Sequence, residues 1–312
     1  MTTTFLVTGA AGYLGSILVP SLLARGHRVI ALDTYARGDT ALATSAADPN
    51  FEPVRGDARD EDLIRNLLKG TDVVIPLAAL VGAPLCKEDP IAARTINLDA
   101  ILMLLKHMSP AQRVIYPTTN SGYGIGQKGV FCTEETPLNP ISLYGVTKSE
   151  AEKAVLDRGN GITLRLATVF GMAPRMRIDL LVNDFTWRAV TDRAVVIFEG
   201  DAKRNYIHVR DVSKAFLHAF DNYETMNANT FNVGVSSANL SKLELSAKIK
   251  EHVPGFVWTV APIGEDPDKR DYIVSNEKIE RTGWSPDHTL DMGIVELARG
   301  YRMIRNGRYS NV

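Results

Sequence analysis

The sequence predicts an α/β protein built on a doubly wound parallel Rossmann sheet, with a smaller, discontinuous α/β lobe attached. Three observations carry that expectation. "TFLVTG" (4–9) is a short β-rich run that ends on glycine and opens into a helix-like stretch. Over the first 170 residues such runs alternate with helical segments of 10 to 18 residues, a rhythm that suits parallel pairing through right-handed crossovers. "DVVIPLAAL" (72–80) is apolar throughout, as a strand covered on both faces should be.

The elements follow in order. "GYLGSILVPSLLARG" (12–26) sets Leu14, Leu18, Leu22 and Leu23 at helical spacing and closes on Gly26. Pro20 inside it removes one helical hydrogen bond or kinks the axis. "HRVIALD" (27–33) is the second strand, "FEPVRGD" (51–57) a weaker third, and "DEDLIRNLLKG" (60–70) a helix. Beyond the apolar strand at 72–80, "PIAARTINLDAILMLLKHM" (90–108) reads as one long helix and "RVIYPTT" (113–119) as the fifth strand. "SLYGVTKSEAEKAVLDRG" (142–159) is a helix and "GITLRLATVFG" (161–171) a strand. "DVSKAFLHAFDNY" (211–223) and "TFNVG" (230–234) read as a further helix and strand returning to the sheet. Residues 1–171 with about 206–234 are therefore expected to form a dinucleotide-binding unit. About 172–205 with 235–312, including the loop-like 261–271, are expected to form the second lobe.

Composition narrows the function. The chain has 312 residues, 45% hydrophobic and 23% charged, the balance of an ordinary soluble enzyme. A formal charge of −1 gives no global attraction to nucleic acid or membrane. No apolar run approaches the roughly 18 residues of a membrane span. The start, "MTTTFLVTGA", lacks the basic and apolar regions of a signal peptide, so a cytoplasmic location is expected. Cys86 and Cys132 lie in no CxxC pair; they read as reduced thiols, and no metal site is expected.

The glycine turn carries the first chemistry. Gly9, Gly12 and Gly15 stand at three-residue intervals between strand and helix. Such glycines permit a tight turn, a close backbone approach to a pyrophosphate and close helix packing, while the helix N-terminus faces the phosphates. Tyr13 and Leu14 lie within the turn, and Asp33 ends the second strand, where a carboxylate accepts the adenosine ribose hydroxyls and disfavours a 2′-phosphate. NAD is therefore expected rather than NADP, although Arg37 follows four residues later. Asp57 and Ala58 after the third strand, and Leu77, Ala78 and Ala79 after the fourth, are further expected cofactor contacts; Asp57 reads equally as a turn residue.

A second constellation supplies the reaction. Tyr144 and Lys148 are four apart and share a helix face. A nearby ammonium and an oxidised nicotinamide both favour the phenolate, which can take a proton from an alcohol as hydride leaves. "YPTTNSGYG" (116–124) places the hydroxyls of Thr118, Thr119 and Ser121 at the carboxyl edge of the sheet.

Together the glycine turn, Asp33, Thr119 and Tyr144–Lys148 resemble the extended short-chain dehydrogenase/reductase family. The chain is most similar to its nucleotide-sugar epimerase and dehydratase branch. "KRNYIHVRDVSKAF" (203–216) and "GWSP" (283–286) resemble that branch's later signatures. The resemblance implies catalysis by Thr119, Tyr144 and Lys148, the lysine also holding the nicotinamide ribose. It implies substrate contacts at Thr119, Asn120, Thr168, Asn183, Arg204 and Arg270, with Arg175 and Arg177 as further candidates. Thr168 stands where relatives often have asparagine, and Pro76 where they often have histidine. The dehydratase branch carries an Asp-Glu pair after its threonine; Asn120 and Ser121 stand there instead. Cys132 lies too far downstream for a 3,5-epimerase cysteine.

The expected activity is thus NAD-dependent epimerisation of a nucleoside-diphosphate sugar, at C4. The alternatives are a nucleotide 4-ketosugar reductase, a dehydrogenase of a free sugar, and a dinucleotide sensor without chemistry. Loops 80–90 and 122–140 are expected to set the substrate. By likeness to relatives, helices 90–108 and 144–158 are expected to pair in a homodimer.

Overall fold

The computed structural model describes residues 2–262 and 270–304. Positions 263–269 of the loop-like stretch, and 305–312 at the end of the second lobe, lie outside the described residues. In chain order the first elements are β1 (Thr4–Thr8), α1 (Gly15–Ala24), β2 (Arg28–Asp33), β3 (Phe51–Arg55), α2 (Glu61–Leu67) and β4 (Val73–Pro76). Next come α3 (Ala83–Glu88), α4 (Pro90–Arg94), α5 (Ala100–His107), β5 (Arg113–Thr119), β6 (Phe131–Cys132), α6 (Leu143–Asp157) and β7 (Gly161–Leu166). They are followed by β8 (Thr168–Phe170), α7 (Leu181–Thr191), β9 (Ala194–Ile197), β10 (Lys203–His208), α8 (Val209–Asp221), α9 (Tyr223–Met226) and β11 (Thr230–Val233). The last are β12 (Asn239–Ser241), α10 (Lys242–His252), β13 (Val257–Val260), β14 (Ile273–Val274), α11 (Glu277–Glu280) and α12 (Leu290–Gly300).

Seven strands form one sheet in the order β3-β2-β1-β4-β5-β7-β11, every pair parallel. The period of two in the strand side chains builds two apolar layers. Phe5 and Val7 of β1, with Val29 and Ala31 of β2, pack against Leu18 and Leu22 of α1 and Val212 and Phe216 of α8. Leu6, Ile30, Leu32 and Val74 face the other way, toward Ile64 of α2, Ile101 and Leu104 of α5 and Val155 of α6. Each such large side chain taken from water contributes roughly 1.5–3 kcal/mol. Strand order reverses between β1 and β4, and the crevice outside their carboxyl ends is where such sheets take ligands.

Three sequence readings are corrected. The apolar run 72–80 is strand only to Pro76; the chain then turns, with the Leu77 N–H donating to Thr8 O at 2.9 Å. The run 161–171 is two strands in two sheets. Its neighbours in the main sheet end at Thr119 and Val233, both opposite Leu166, so later backbone groups need new partners. Thr168, Val169 and Phe170 find them on Tyr206, Ile207 and His208 of β10. The helix at 90–108 is interrupted by a π turn over Thr95–Asp99.

The remaining elements gather around a second apolar core that includes Phe170, Val182, Phe185, Tyr206, Leu245 and Ile294. Here β10 pairs β8 in parallel and β12 antiparallel, and β9 pairs β13. A short parallel pair, β6 with β14, ties the 122–140 loop to the chain after 270. Cys132 is buried in that contact beside Tyr123 and Val274.

Gly9 has φ +67°, and a Cβ there would stand 2.6 Å from Ala78 N. Gly9→Val is therefore expected to combine backbone strain with a clash across β1 and β4. The expected outcome is a melting temperature lower by on the order of 5 °C and loss of dinucleotide binding, read by thermal denaturation and calorimetric titration.

Candidate active site

The glycine turn is braced from behind. Asp33 Oδ2 accepts the Ala11 N–H at 3.0 Å and Oδ1 accepts the Tyr35 N–H at 2.8 Å, which fixes the carboxylate at the tip of β2. Gly15 is held against the turn so closely that a Cβ would stand 2.3 Å from Ala10 O. The first turn of α1 carries no acidic residue. The N–H groups of Tyr13 and Leu14 find no acceptor among the described residues. Such free donors at a positive helix end suit a pyrophosphate. Opposite the turn, Leu77, Ala78 and Ala79 are partly exposed, and Ala78 N–H donates to the Thr8 hydroxyl at 3.3 Å. These features fit a dinucleotide lying across the crevice.

Not every sequence-predicted contact presents its side chain to that crevice. The Tyr13 phenol turns away and donates to Gly171 O at 2.6 Å, so the turn has only this residue's backbone to offer. Asp57 is gripped by the Arg59 fork, at 3.0 Å through Nε and 2.5 Å through Nη2, which holds its carboxyl below the usual range. Ala58 beside it packs against the apolar layer below the sheet.

Catalytic candidates meet at the carboxyl ends of β5 and the start of α6. Thr119 ends β5 in extended conformation, and its hydroxyl accepts the Ser121 N–H at 3.1 Å. The Thr119 and Ser121 hydroxyls lie 2.8 Å apart. Tyr144 sits in the first turn of α6, whose N-cap, Ser142, accepts the Gly145 N–H at 3.2 Å. Burial pushes the Tyr144 phenol up to about 12, while Arg177, Arg270 and a hydrogen bond with Thr119 draw it down. One turn further, Lys148 is buried, its Nζ 4.0 Å from the centre of the Tyr116 ring. Burial pushes this ammonium down to about 7 against the pull of Glu152.

The second lobe contributes arginines. Arg270 donates through Nη1 to Ser121 Oγ, the hydroxyl that lies next to that of Thr119. Arg177 is nearly buried and paired with Asp179. Arg175 reaches over α1, its N–H 3.4 Å from Ser16 Oγ, with Asp33 and Arg37 both acting on its charge. Arg204 is buried on β10, donating to Lys203 O at 2.9 Å, with its guanidinium 5.8 Å from the Tyr272 ring centre. Thr168 opens β8, half-buried and paired with Tyr206.

Asn183, expected on the substrate diphosphate, is engaged within the protein in this structure. Its Oδ1 accepts the Gly171 N–H at 3.0 Å, and its Nδ2 donates to Arg177 O at 2.8 Å and to the Tyr13 hydroxyl at 3.3 Å. The side chain is fully buried, with both Nδ2 hydrogens and one Oδ1 lone pair engaged. Asn120 is the reverse: it is 1% exposed, yet neither amide atom has a hydrogen-bond partner. A buried orphaned amide beside Thr119 is what a ligand-binding group looks like before its ligand arrives.

Sequence reasoning missed Asn97. The π turn swings it toward the loop after β4, where its Oδ1 accepts the Leu80 N–H at 2.8 Å and its Nδ2 donates to Leu80 O at 2.9 Å. A π turn has no signature in the apolar spacing, and such bulges favour functional sites.

Comparison with known proteins places this arrangement. The profile of the NAD dependent epimerase/dehydratase family matches residues 5–234. A UDP-glucose 4-epimerase of Lactobacillus helveticus is 31% identical, over 91% of this chain and 92% of that protein. UDP-glucuronic acid decarboxylase 1 of Arabidopsis thaliana is 27% identical, over 95% of this chain and 69% of that protein. Among solved structures, the Thermus thermophilus UDP-glucose 4-epimerase complex with NAD superposes with a TM-score of 0.81 at 25% identity, over 96% of this chain and 99% of that one.

Tyr13→Phe removes the hydroxyl shared by Gly171 and Asn183 and leaves a buried amide donor short of its acceptor. The expected cost is about 1–3 kcal/mol of stability, measured by denaturant titration of the purified protein.

Proposed function

The chain belongs to the NAD-dependent epimerase/dehydratase family and is an NAD-dependent enzyme; from that premise we propose that it epimerises a nucleoside-diphosphate sugar at C4 through a transient 4-ketosugar. One observation carries the reading. The two side chains that follow Thr119 are an amide without a hydrogen-bond partner, Asn120, and a hydroxyl, that of Ser121, 2.8 Å from the Thr119 hydroxyl. A 4,6-dehydration needs a second acid and base to take the C5 proton and release the C6 hydroxyl. Asn120 and Ser121, at the positions of the dehydratase branch's acidic pair, are neither.

Epimerisation needs less. Bound NAD supplies a hydride acceptor and donor and a positive charge beside the phenol. Tyr144 takes the proton of the C4 hydroxyl, helped by the Lys148 ammonium one helical turn away. Thr119 hydrogen-bonds the same oxygen and fixes its lone pairs relative to Tyr144. The unpaired Asn120 amide is suited to a neighbouring sugar hydroxyl. The ketosugar then turns over in the pocket, hydride returns to the opposite face, and Tyr144 gives its proton back.

A second reading has one observation in its favour. Arg270 stands at the hydroxyl end of the site, through Ser121, rather than remote from it. A guanidinium there suits a carboxylate on the sugar. A hexuronate oxidised at C4 is a β-keto acid: its C5–C6 bond breaks to release carbon dioxide, and the enolate left behind takes one proton at C5.

A panel of UDP-hexoses and UDP-hexuronates, with products read by NMR, separates these readings. Inversion at C4 without gas release is the expected outcome; a pentose product with carbon dioxide would establish decarboxylation. Stoichiometric consumption of added NADPH would instead make the protein a ketosugar reductase. Tyr144→Phe is expected to lower turnover at least 100-fold while NAD still copurifies, and unchanged turnover would remove Tyr144 from the mechanism.

A further inference from the structure

The turn after β5 brings two hydroxyls together with a cation. Thr119 ends the strand and Ser121 follows within the short turn Asn120–Tyr123, both nearly buried. Their side-chain oxygens lie 2.8 Å apart, and the Ser121 N–H donates to the Thr119 hydroxyl at 3.1 Å. Arg270 donates through Nη1 to the Ser121 hydroxyl. The residue next to this arginine is pinned twice: Asp271 O accepts the Gly126 N–H at 2.8 Å, and Asp271 Oδ1 accepts the Lys203 N–H at 2.8 Å. Arg270 therefore enters the site from a segment tied both to the 122–140 loop and to β10.

The hydrogens on these groups give the chain a direction. A guanidinium only donates, so Ser121 Oγ accepts from Arg270 and must place its own hydrogen elsewhere. Among the described residues that hydrogen finds its acceptor in Thr119 Oγ, since the adjacent Asn120 Oδ1 has no partner. Were Thr119 the donor of this pair, the Ser121 hydrogen would be buried without an acceptor, which is costly. Thr119 Oγ thus accepts twice, from the N–H and the O–H of Ser121, and both its lone pairs are occupied. What remains to it is a hydrogen.

We propose that Ser121, held as an acceptor by Arg270, is a positioning residue that makes the Thr119 hydroxyl an obligate donor to the oxygen reacting at C4. The proposal rests on the catalytic reading of Thr119 and Tyr144 given above. A C4 hydroxyl that accepts the Thr119 hydrogen on one lone pair must aim its own hydrogen elsewhere, toward Tyr144. As that proton passes to Tyr144 the oxygen gains negative charge, and a fixed donor holds it more tightly than it held the hydroxyl. The bonds from Arg270 to Ser121 to Thr119 run head to tail, so each polarises the next and the guanidinium strengthens the last donor. A Thr119 hydroxyl free to turn would instead accept the C4 proton and compete with Tyr144 for it.

Two measurements test this. Neutron diffraction from crystals of the perdeuterated holoenzyme, with NAD bound, locates the hydroxyl deuterium atoms. The Ser121 deuterium is expected on the line to Thr119 Oγ, with that of Thr119 turned toward the crevice; a Thr119 deuterium on the line to Ser121 Oγ overturns the proposal. Kinetics follow with whichever member of the UDP-hexose and UDP-hexuronate panel the wild type turns over. Ser121→Ala is expected to lower kcat roughly 10-fold, with KM changed far less and NAD still bound, and Ser121→Thr, which keeps the hydroxyl, to restore most of it. Arg270→Met is expected to lower kcat in the wild type and much less in the Ser121→Ala background, where the chain is already cut. A merely structural Ser121 would lower the melting temperature and leave kcat in place, and kcat losses that add would remove Arg270 from the chain; either result overturns the proposal. The diffraction needs no variant and no sugar. Deuterium positions as expected, in an enzyme that turns over no nucleotide sugar, would sink the functional reading and spare the direction of the chain.

Discussion

Everything at the carboxyl edge of the sheet depends on how closely β1 and β4 part. Their crossovers run to opposite faces, so the backbone after β1 and the backbone after β4 face each other across one crevice. The gap is set by contact between Gly9 and Ala78, where even a methyl group would not fit. Asp33 fixes the turn from the β2 side, and Asn97 fixes the loop after β4 from the helix above. The catalytic face of α6 is then aligned with that crevice by the same sheet, since β5 delivers Thr119 and β7 delivers Arg165.

Charge is arranged with similar economy. Lys148, Arg177 and Arg270 are carried by three separate segments of the chain, and the last two act directly on the Tyr144 phenol. Asp179 pairs with Arg177, while Glu152, one helical turn beyond Lys148, is taken up by Arg165. A region so biased attracts anions and works against the burial that raises the Tyr144 phenol. Net charge alone, at −1, gives no sign of this local imbalance.

The central sheet was legible because its strands and helices keep distinct periods and because glycine has few reasons to recur every three residues before a helix. The shared helix face of Tyr144 and Lys148 was legible from their spacing of four, and the place of Thr119 at a strand end from the run that precedes it. The second lobe was not, since β6 and β14 are two residues long and β12 only three, too short to show alternation. The split of 161–171 into β7 and β8 could not be seen either, because it is dictated by where the neighbouring strands stop. Glu152 and Arg165 are 13 residues apart and look like ordinary surface charges in sequence; only the fold brings them together in the interior. The ties of Asn183 to Gly171 and Arg177 were equally invisible, since a polar side chain near a crevice gives no sign in sequence of its partners within the protein.

The Tyr13 phenol has a consequence for how the two halves behave. It belongs to the phosphate turn, yet its hydroxyl is anchored at Gly171 and shared with Asn183, both on the far side of the crevice. One buried hydroxyl thus makes the glycine turn and the chain around Gly171 and Asn183 a single hydrogen-bonded unit, so a substitution on either side is felt on the other.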